Sequence, residues 1–153
     1  MERVRELLDK EHYLGVGRDV GRTVVHHRGQ WVALLTLGQA AMRLIDRDEW
    51  ISWTPQQRAQ RLGLIVQNRR FLVLSKTRLP NLASRAMSLA LRALSDHWKS
   101  KHNYKPLLAE TFTDIESFEG TCYKASGWVP CGESKGFERE HTVGFYREHK
   151  MPK

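Results

Sequence analysis

Two places in the chain carry residues whose type and setting could do chemistry. The first is Glu110, inside the apolar run Leu107-Leu108-Ala109-Glu110-Thr111-Phe112. Strand alternation puts Leu108, Glu110 and Phe112 on one face. A carboxylate there is either paired with a cation or held with a raised pKa. Raised, it suits a general base that takes a proton from an ammonium nucleophile. Paired, it is the structural partner of a nearby arginine. The second place is Phe71 to Arg85, which reads as strand, turn and helix. Lys76, Arg78, Asn81, Ala83, Ser84 and Arg85 gather where that helix begins. A helix start offers unpaired N–H groups and the positive end of the helix dipole, a setting that takes pyrophosphate. Asn81 is placed to cap the helix and Ala83 is small enough to let a ligand approach. Ser84 can donate a hydrogen bond, and Lys76, Arg78 and Arg85 supply charge. An ordinary capped helix with a solvated basic first turn has the same composition. There is no GxxxxGK[ST] loop, and no GxGxxG follows a strand.

Other reactive residue types stand in weaker settings. Cys122 has no His or Asp at an informative spacing and reads as a small buried residue. His26 and His27 are adjacent on a strand and face opposite ways, so with His12 they make no metal site. No metal is expected. Trp50 and Trp53 flank Ile51-Ser52; they could stack a base or an acyl group, but read more simply as a core anchor for the helix after Pro55.

These residues need elements to position them. Residues 2–11 suit a helix, with Val4, Leu7 and Leu8 at helical spacing. Thr23–His27 and Trp31–Leu37 form a hairpin around Arg28-Gly29-Gln30, with Gly38 ending the second strand. Gln39–Ile45 has room for a helical turn or two. Thr54, Pro55 and Gln57 make a capping box, and the helix it opens should run to about Gln67. Phe71–Leu74 reads as a buried strand. Pro80-Asn81 opens the strongest helix, with Leu82, Ala86, Leu89, Ala90, Ala93, Leu94 and His97 at helical spacing up to Asn103 or Tyr104. A strand at Leu107–Phe112, a short helix at Phe118–Ser126, a strand at Trp128–Gly132 and a last strand at Thr142–Arg147 complete the order. Such alternation implies an α/β or α+β sheet with helices packed on it.

The 153 residues are one domain's worth, and 41% hydrophobic with 27% charged residues is a globular composition. No apolar run approaches a membrane span, and the charged amphipathic start is not a secretion signal. Cys122 and Cys131 form neither a CxxC pair nor a disulfide framework, so an intracellular, cytoplasmic setting with reduced thiols is expected. The formal net charge is +8. Residues 1–75 carry 12 basic and 8 acidic side chains and residues 76–153 carry 13 and 9, so the surplus is even. It favours polyanions, whether as a diffuse cationic surface or as a phosphate-binding groove assembled in the fold.

Two resemblances add to this. Arg78-Leu79-Pro80-Asn81-Leu82-Ala83 resembles the [Q/R]-x-x-G-x-[G/A] loop by which GCN5-related N-acetyltransferases (the GNAT fold) bind the pyrophosphate of acetyl-CoA. Asn81 replaces the loop's first glycine, and Asn tolerates left-handed backbone geometry better than most residues. Tyr123-Lys124-Ala125-Ser126-Gly127-Trp128 resembles that fold's Y-x-x-x-G-[F/W] segment, whose tyrosine often protonates the leaving CoA thiolate. The GNAT resemblance implies one domain over 1–153, with a mixed, largely antiparallel sheet and helices on both faces. It further implies acetyl-CoA or another acyl-CoA as cofactor, Arg78, Asn81, Ala83, Ser84 and Arg85 as its contacts, and Tyr123 and Glu110 as acid and base. Set against that resemblance, the chain is expected to begin at the fold's first helix and to lack its usual first strand.

At whole-sequence level, His12-Tyr13-Leu14-Gly15, Arg47-Asp48 with Trp50-Ile51 and Trp53, Asn68 with Arg70-Phe71-Leu72, Pro80-Asn81-Leu82-Ala83-Ser84, Glu110-Thr111-Phe112 and Gly120-Thr121-Cys122-Tyr123 form a second set of motifs. Together they resemble those of the bacterial family that contains DruA of the Druantia anti-phage system, related domains of which occur beside transposases. This resemblance implies anti-phage defence or mobile-element biology, with nucleic acid or other defence-system or transposase proteins as partners and no membrane. Two functions from different classes follow: an acyl-CoA-dependent N-acyltransferase, or a catalytically silent GNAT-like module that binds nucleic acid.

Overall fold

The computed structural model describes residues 2–11, 21–74, 79–134, 137–139 and 146–148. Helix α1 is Glu2–Glu11. Strands β1, Gly21–His27, and β2, Gln30–Gln39, pair antiparallel around Arg28-Gly29. Both loop residues are left-handed, at φ 49° and 78°, the geometry that lets a two-residue turn match the twist of its strands. β2 is longer than the sequence suggests: it runs through Gly38, where an added Cβ would meet the Arg69 side chain lying across it.

Helix α2, Ile45–Ile51, was not foreseen; it stands where a turn or two was expected only as far as Ile45. Ser52, left-handed at φ 61°, ends it. Trp50 is 54% exposed, contrary to the expected core anchor, while Trp53 is half-buried. Helix α3, Pro55–Arg61, starts at the expected capping box: Thr54 Oγ1 accepts from Gln57 N–H at 3.2 Å, and Gln57 Oε1 accepts from Thr54 N–H at 2.9 Å. It stops six residues short of Gln67. Leu62–Leu64 is a 3-10 turn, and β3 occupies Ile65–Val73. Leu62, Ile65 and Val66 have helical spacing, but Gly63 weakens a helix and the β-branched pair suits a strand. Ile65 and Val66 are both buried, as adjacent residues can be when a strand is covered on both faces.

Helix α4, Leu82–His102, matches its expected span and ends at Asn103, left-handed at φ 62°, whose N–H bonds Lys99 O. Strand β4 is Leu108–Thr111, and α5 is the single turn Thr121–Lys124, shorter than expected. Trp128–Gly132 forms no strand. Pro130 lacks an N–H, and Asp46 of α2 packs against Gly132 while accepting the Glu133 N–H at 3.1 Å. Strands β5, Phe137–Arg139, and β6, Tyr146–Glu148, form a separate antiparallel pair. The expected last strand overlaps β6 at Tyr146 and Arg147; its earlier part lies outside the described residues, as do His12, Lys76 and Arg78.

The main sheet has the order β1-β2-β3-β4, antiparallel except for the β3–β4 pair, which is parallel and connected through α4. The fold is therefore α+β, with a largely antiparallel sheet. Its two faces are covered by different helices. Leu34 and Leu72 pack on Val4 of α1. On the other face Leu35 packs on Met87 and Ala90, and Leu37 and Val66 pack on Leu94 and Trp98, all of α4. This is why β2 is buried continuously from Val32 to Gly38.

Leu34 is fully buried and has neighbours on both sides of it in the sheet. Truncating Leu34→Ala should cost about 2–5 kcal/mol of unfolding free energy, seen as a lower urea midpoint at unchanged slope.

Candidate functional site

The two chemically suggestive regions lie on opposite faces of the sheet. In the β3–β4 register, Val66 stands beside Ala109, Gln67 beside Glu110 and Asn68 beside Thr111. Ala109 packs into the core under α4. Glu110, its neighbour, therefore projects from the face away from α4.

There Glu110 meets Arg47 of α2. Arg47 Nη1 donates to Glu110 Oε2 at 2.8 Å and to Ala41 O at 2.8 Å. Its Nε and Nη2 donate to Asp48 Oδ1 at 3.0 and 2.7 Å. Glu110 Oε1 accepts the Ala41 N–H at 2.6 Å, and Asp48 Oδ2 accepts from Arg58 Nη1 at 3.1 Å. Both carboxylates thus use both oxygens. Arg47 and Asp48 are 6% and 7% exposed, so this is a buried network with its polar atoms paired. Burial opposes the Arg47 charge, but hydrogen bonds to Glu110 and Asp48 outweigh it and hold the guanidinium pKa above its ordinary value. Of the two states open to Glu110 from sequence, the structure shows the ion pair.

The α4 face carries the second centre. Asn68 is 4% exposed and lies opposite Leu37. The β2–β3 register skips Arg69, passing from Thr36↔Arg70 to Leu37↔Asn68, which is a β-bulge. The Asn68 amide spans it. With both ends of the amide satisfied, Nδ2 donates to Thr36 O and Arg70 O, at 3.2 and 3.0 Å, and Oδ1 accepts from the Tyr123 hydroxyl at 3.2 Å. Tyr123 stands on α5, entered through left-handed Gly120, and meets Phe71 and Trp128 edge to face. Past Asn68 and Thr111 the parallel strands part: β4 ends, while β3 continues to Val73 and leads to α4.

At the start of α4, Asn81 occupies the N-cap position in the left-handed region, φ 53°, and its side chain makes no cap bond. The expectation of a side-chain cap is corrected: an asparagine at φ 53° differs from the extended backbone of a capping residue. Ser84 Oγ donates back to Asn81 O, and Ser84 O accepts from Ser126 Oγ, which ties α4 to the segment after Tyr123. Ala83 is half-buried and Arg85 is exposed. Burial pushes the Cys122 thiol pKa up, which disfavours the thiolate a nucleophile needs. Among the described residues no group of three or more His, Cys, Asp or Glu could hold a metal.

The structure therefore brings Tyr123, Ser84, Asn81 and Ala83 to one side of the sheet and sets Glu110 on the other. Sequence reasoning missed Arg47, Asp48 and Asn68 as site residues. Their signal was present as family-like motifs, but their partners lie 63 and 55 positions away for Arg47 and Asn68.

A mixed α+β domain with a buried arginine–carboxylate lock under one face, and a bulged, tyrosine-capped parting of parallel strands on the other, is the class of protein defined here. The family model described as Druantia protein DruA matches residues 3–151, and the chain belongs to that family. No curated protein matches it. No helix among the described residues is long and apolar enough to cross a membrane.

Arg47→Met leaves Glu110 and Asp48 buried beside an uncharged neighbour and should destabilise by roughly 3–5 kcal/mol. Adding Glu110→Leu should recover a large part of that loss. Urea unfolding of the two single variants and the double variant measures the coupling; strictly additive losses would mean that the pair is not the lock described.

Proposed function

We propose that this chain serves in bacterial anti-phage defence, the setting that membership of the Druantia DruA family suggests, and that the parting of β3 and β4 is an acyl-CoA site of the GNAT kind. The observation that carries this reading is the join of three features. Parallel strands separate beyond Asn68 and Thr111, the Tyr123 hydroxyl stands at the apex, and β3 leads into a 21-residue helix through a left-handed Asn81. The first amides of such a helix have no partner within it and attract anionic oxygens. In this reading the pyrophosphate rests on the amides of Ala83 and Ser84, beside Asn81, with Arg78 and the Arg85 side chain as counter-charges; the Arg85 N–H is already given to Asn81 O at 3.0 Å. The thioester lies near Tyr123. An amine attacks the thioester carbonyl, the C–S bond breaks, and Tyr123 protonates the departing thiolate. Glu110, the base suggested by the sequence, belongs to the opposite face; its part is to hold Arg47 and Ala41, and the amine proton leaves to solvent.

Thermal unfolding with acetyl-CoA tests it, with pyrophosphate and ATP as controls at equal ionic strength. A ligand at about 100 times its Kd adds roughly 2.7 kcal/mol, a shift of several degrees. Ala83→Glu should leave the helix intact, since a carboxylate suits its first turn, yet remove the acetyl-CoA shift by repelling the pyrophosphate. Tyr123→Phe should keep the shift and lower transfer. Equal shifts from every polyanion would overturn the reading.

A second reading, a nucleic-acid-binding module with a silent cleft, is favoured by the cations on the outer side of α4. Other proteins of the defence system are the partners this setting supplies under either reading.

A further inference from the structure

Helix α4 turns its apolar side, Ala86, Met87, Ala90, Leu94 and Trp98, to the sheet. The opposite side follows the spacing i, i+7, i+14: Arg85, Arg92 and Lys99, all exposed, with Leu89 and Asp96 between them. A solvated helix face of the common kind interleaves acids and bases at i, i+4. This helix has one carboxylate in 21 residues, Asp96. It is engaged by Lys105 at 2.9 Å, which together with Lys99 and His97 holds it below the usual carboxylate range. Among the described residues no carboxylate lies within ion-pair distance of Arg85 or Arg92. At the helix start, the segment bearing exposed Lys124 is tied to Ser84 through Ser126.

Resting on the second reading above, that the chain binds nucleic acid, we infer that the outer face of α4 is the binding surface and that its occupant is the phosphate backbone of a duplex. From Arg85 to Lys99 the strip spans about 21 Å at about 1.5 Å per residue. Duplex DNA presents one phosphate charge per roughly 1.7 Å of its axis, so each cation on the strip has phosphates within its reach. The positions between Arg85 and Lys99 on this face carry no aromatic ring on which unpaired bases could stack, which selects duplex over single strand. Contacts of this kind position the chain on the duplex without reading sequence.

The test is fluorescence anisotropy of a labelled duplex, and of one of its strands alone, across a salt series. Two charge-matched variants are compared: Arg85→Gln/Arg92→Gln/Lys99→Gln, and Arg28→Asn/Arg43→Gln/Arg61→Gln, which removes three exposed arginines elsewhere. The strip variant should lose roughly a hundredfold in duplex affinity near 0.1 M salt, and its slope of log K against log salt should flatten by nearly 3. The second variant should keep most of both. Equal losses in the two variants would place the binding in diffuse charge and overturn this surface. Tighter binding of the single strand would overturn the duplex assignment. No binding of either nucleic acid by the wild type at about 50 mM salt would overturn the second reading itself. The acetyl-CoA measurement is decided separately from all three outcomes.

Discussion

A guanidinium shut away from water must be surrounded by acceptors, and much of this fold is arranged to satisfy that of Arg47. A buried charge left without partners costs far more than an ion pair gains, so the requirement acts as a constraint on geometry. Arg47 and Glu110 hold the same residue from its two sides, one at Ala41 O and the other at Ala41 N–H. Three segments meet there: the exit from β2, the first turn of α2 and the edge strand β4. β4 has four residues and, among the described residues, pairs with one neighbour, so backbone bonds alone hold it weakly. The lock supplies what the short ladder lacks. Arg58 extends it to α3 through Asp48.

The sheet then separates two tasks. On the face of the lock, carboxylates serve as fixed structural anions. On the α4 face, the bulge at Arg69 would leave Thr36 O outside the regular ladder, and the Asn68 amide takes it up while presenting its oxygen to Tyr123. An asparagine in mid-strand is thus explained by a break in the strand pairing, and the tyrosine by the asparagine. Phe71 and Trp128 hold the phenol ring on two sides, so its hydroxyl has one defined direction. The bulge, the end of β4 and the oriented hydroxyl thus fall at one point, on the face away from the lock.

Charge follows the same division. The interior ion pairs use arginine, whose planar fork can meet two acceptors at once. The outer surface of α4 uses arginine and lysine with hardly an acid among them. The even charge of the two halves of the chain conceals this, because a surface strip is set by helical period rather than by position along the chain.

Local chemistry alone determined the hairpin, the capping box at Thr54, the whole span of α4 and the start of α1. In each, the deciding interactions lie within a few residues: a left-handed turn pair, a reciprocal cap, an amphipathic stripe. From these the α+β class was legible. Where two local codes agreed with the same letters, as at Leu62, Ile65 and Val66, tertiary burial chose the strand. Helix α2 has no capping side chain and hides its charged residues rather than apolar ones, so no periodicity announced it. The alternation of β4 showed that Leu108 and Glu110 share a face but not which face α4 would cover. That was settled by register against β3. One residue of slip would exchange the roles of Ala109 and Glu110 and bring a carboxylate under α4, a choice that only the packed sheet and the distant Arg47 could make.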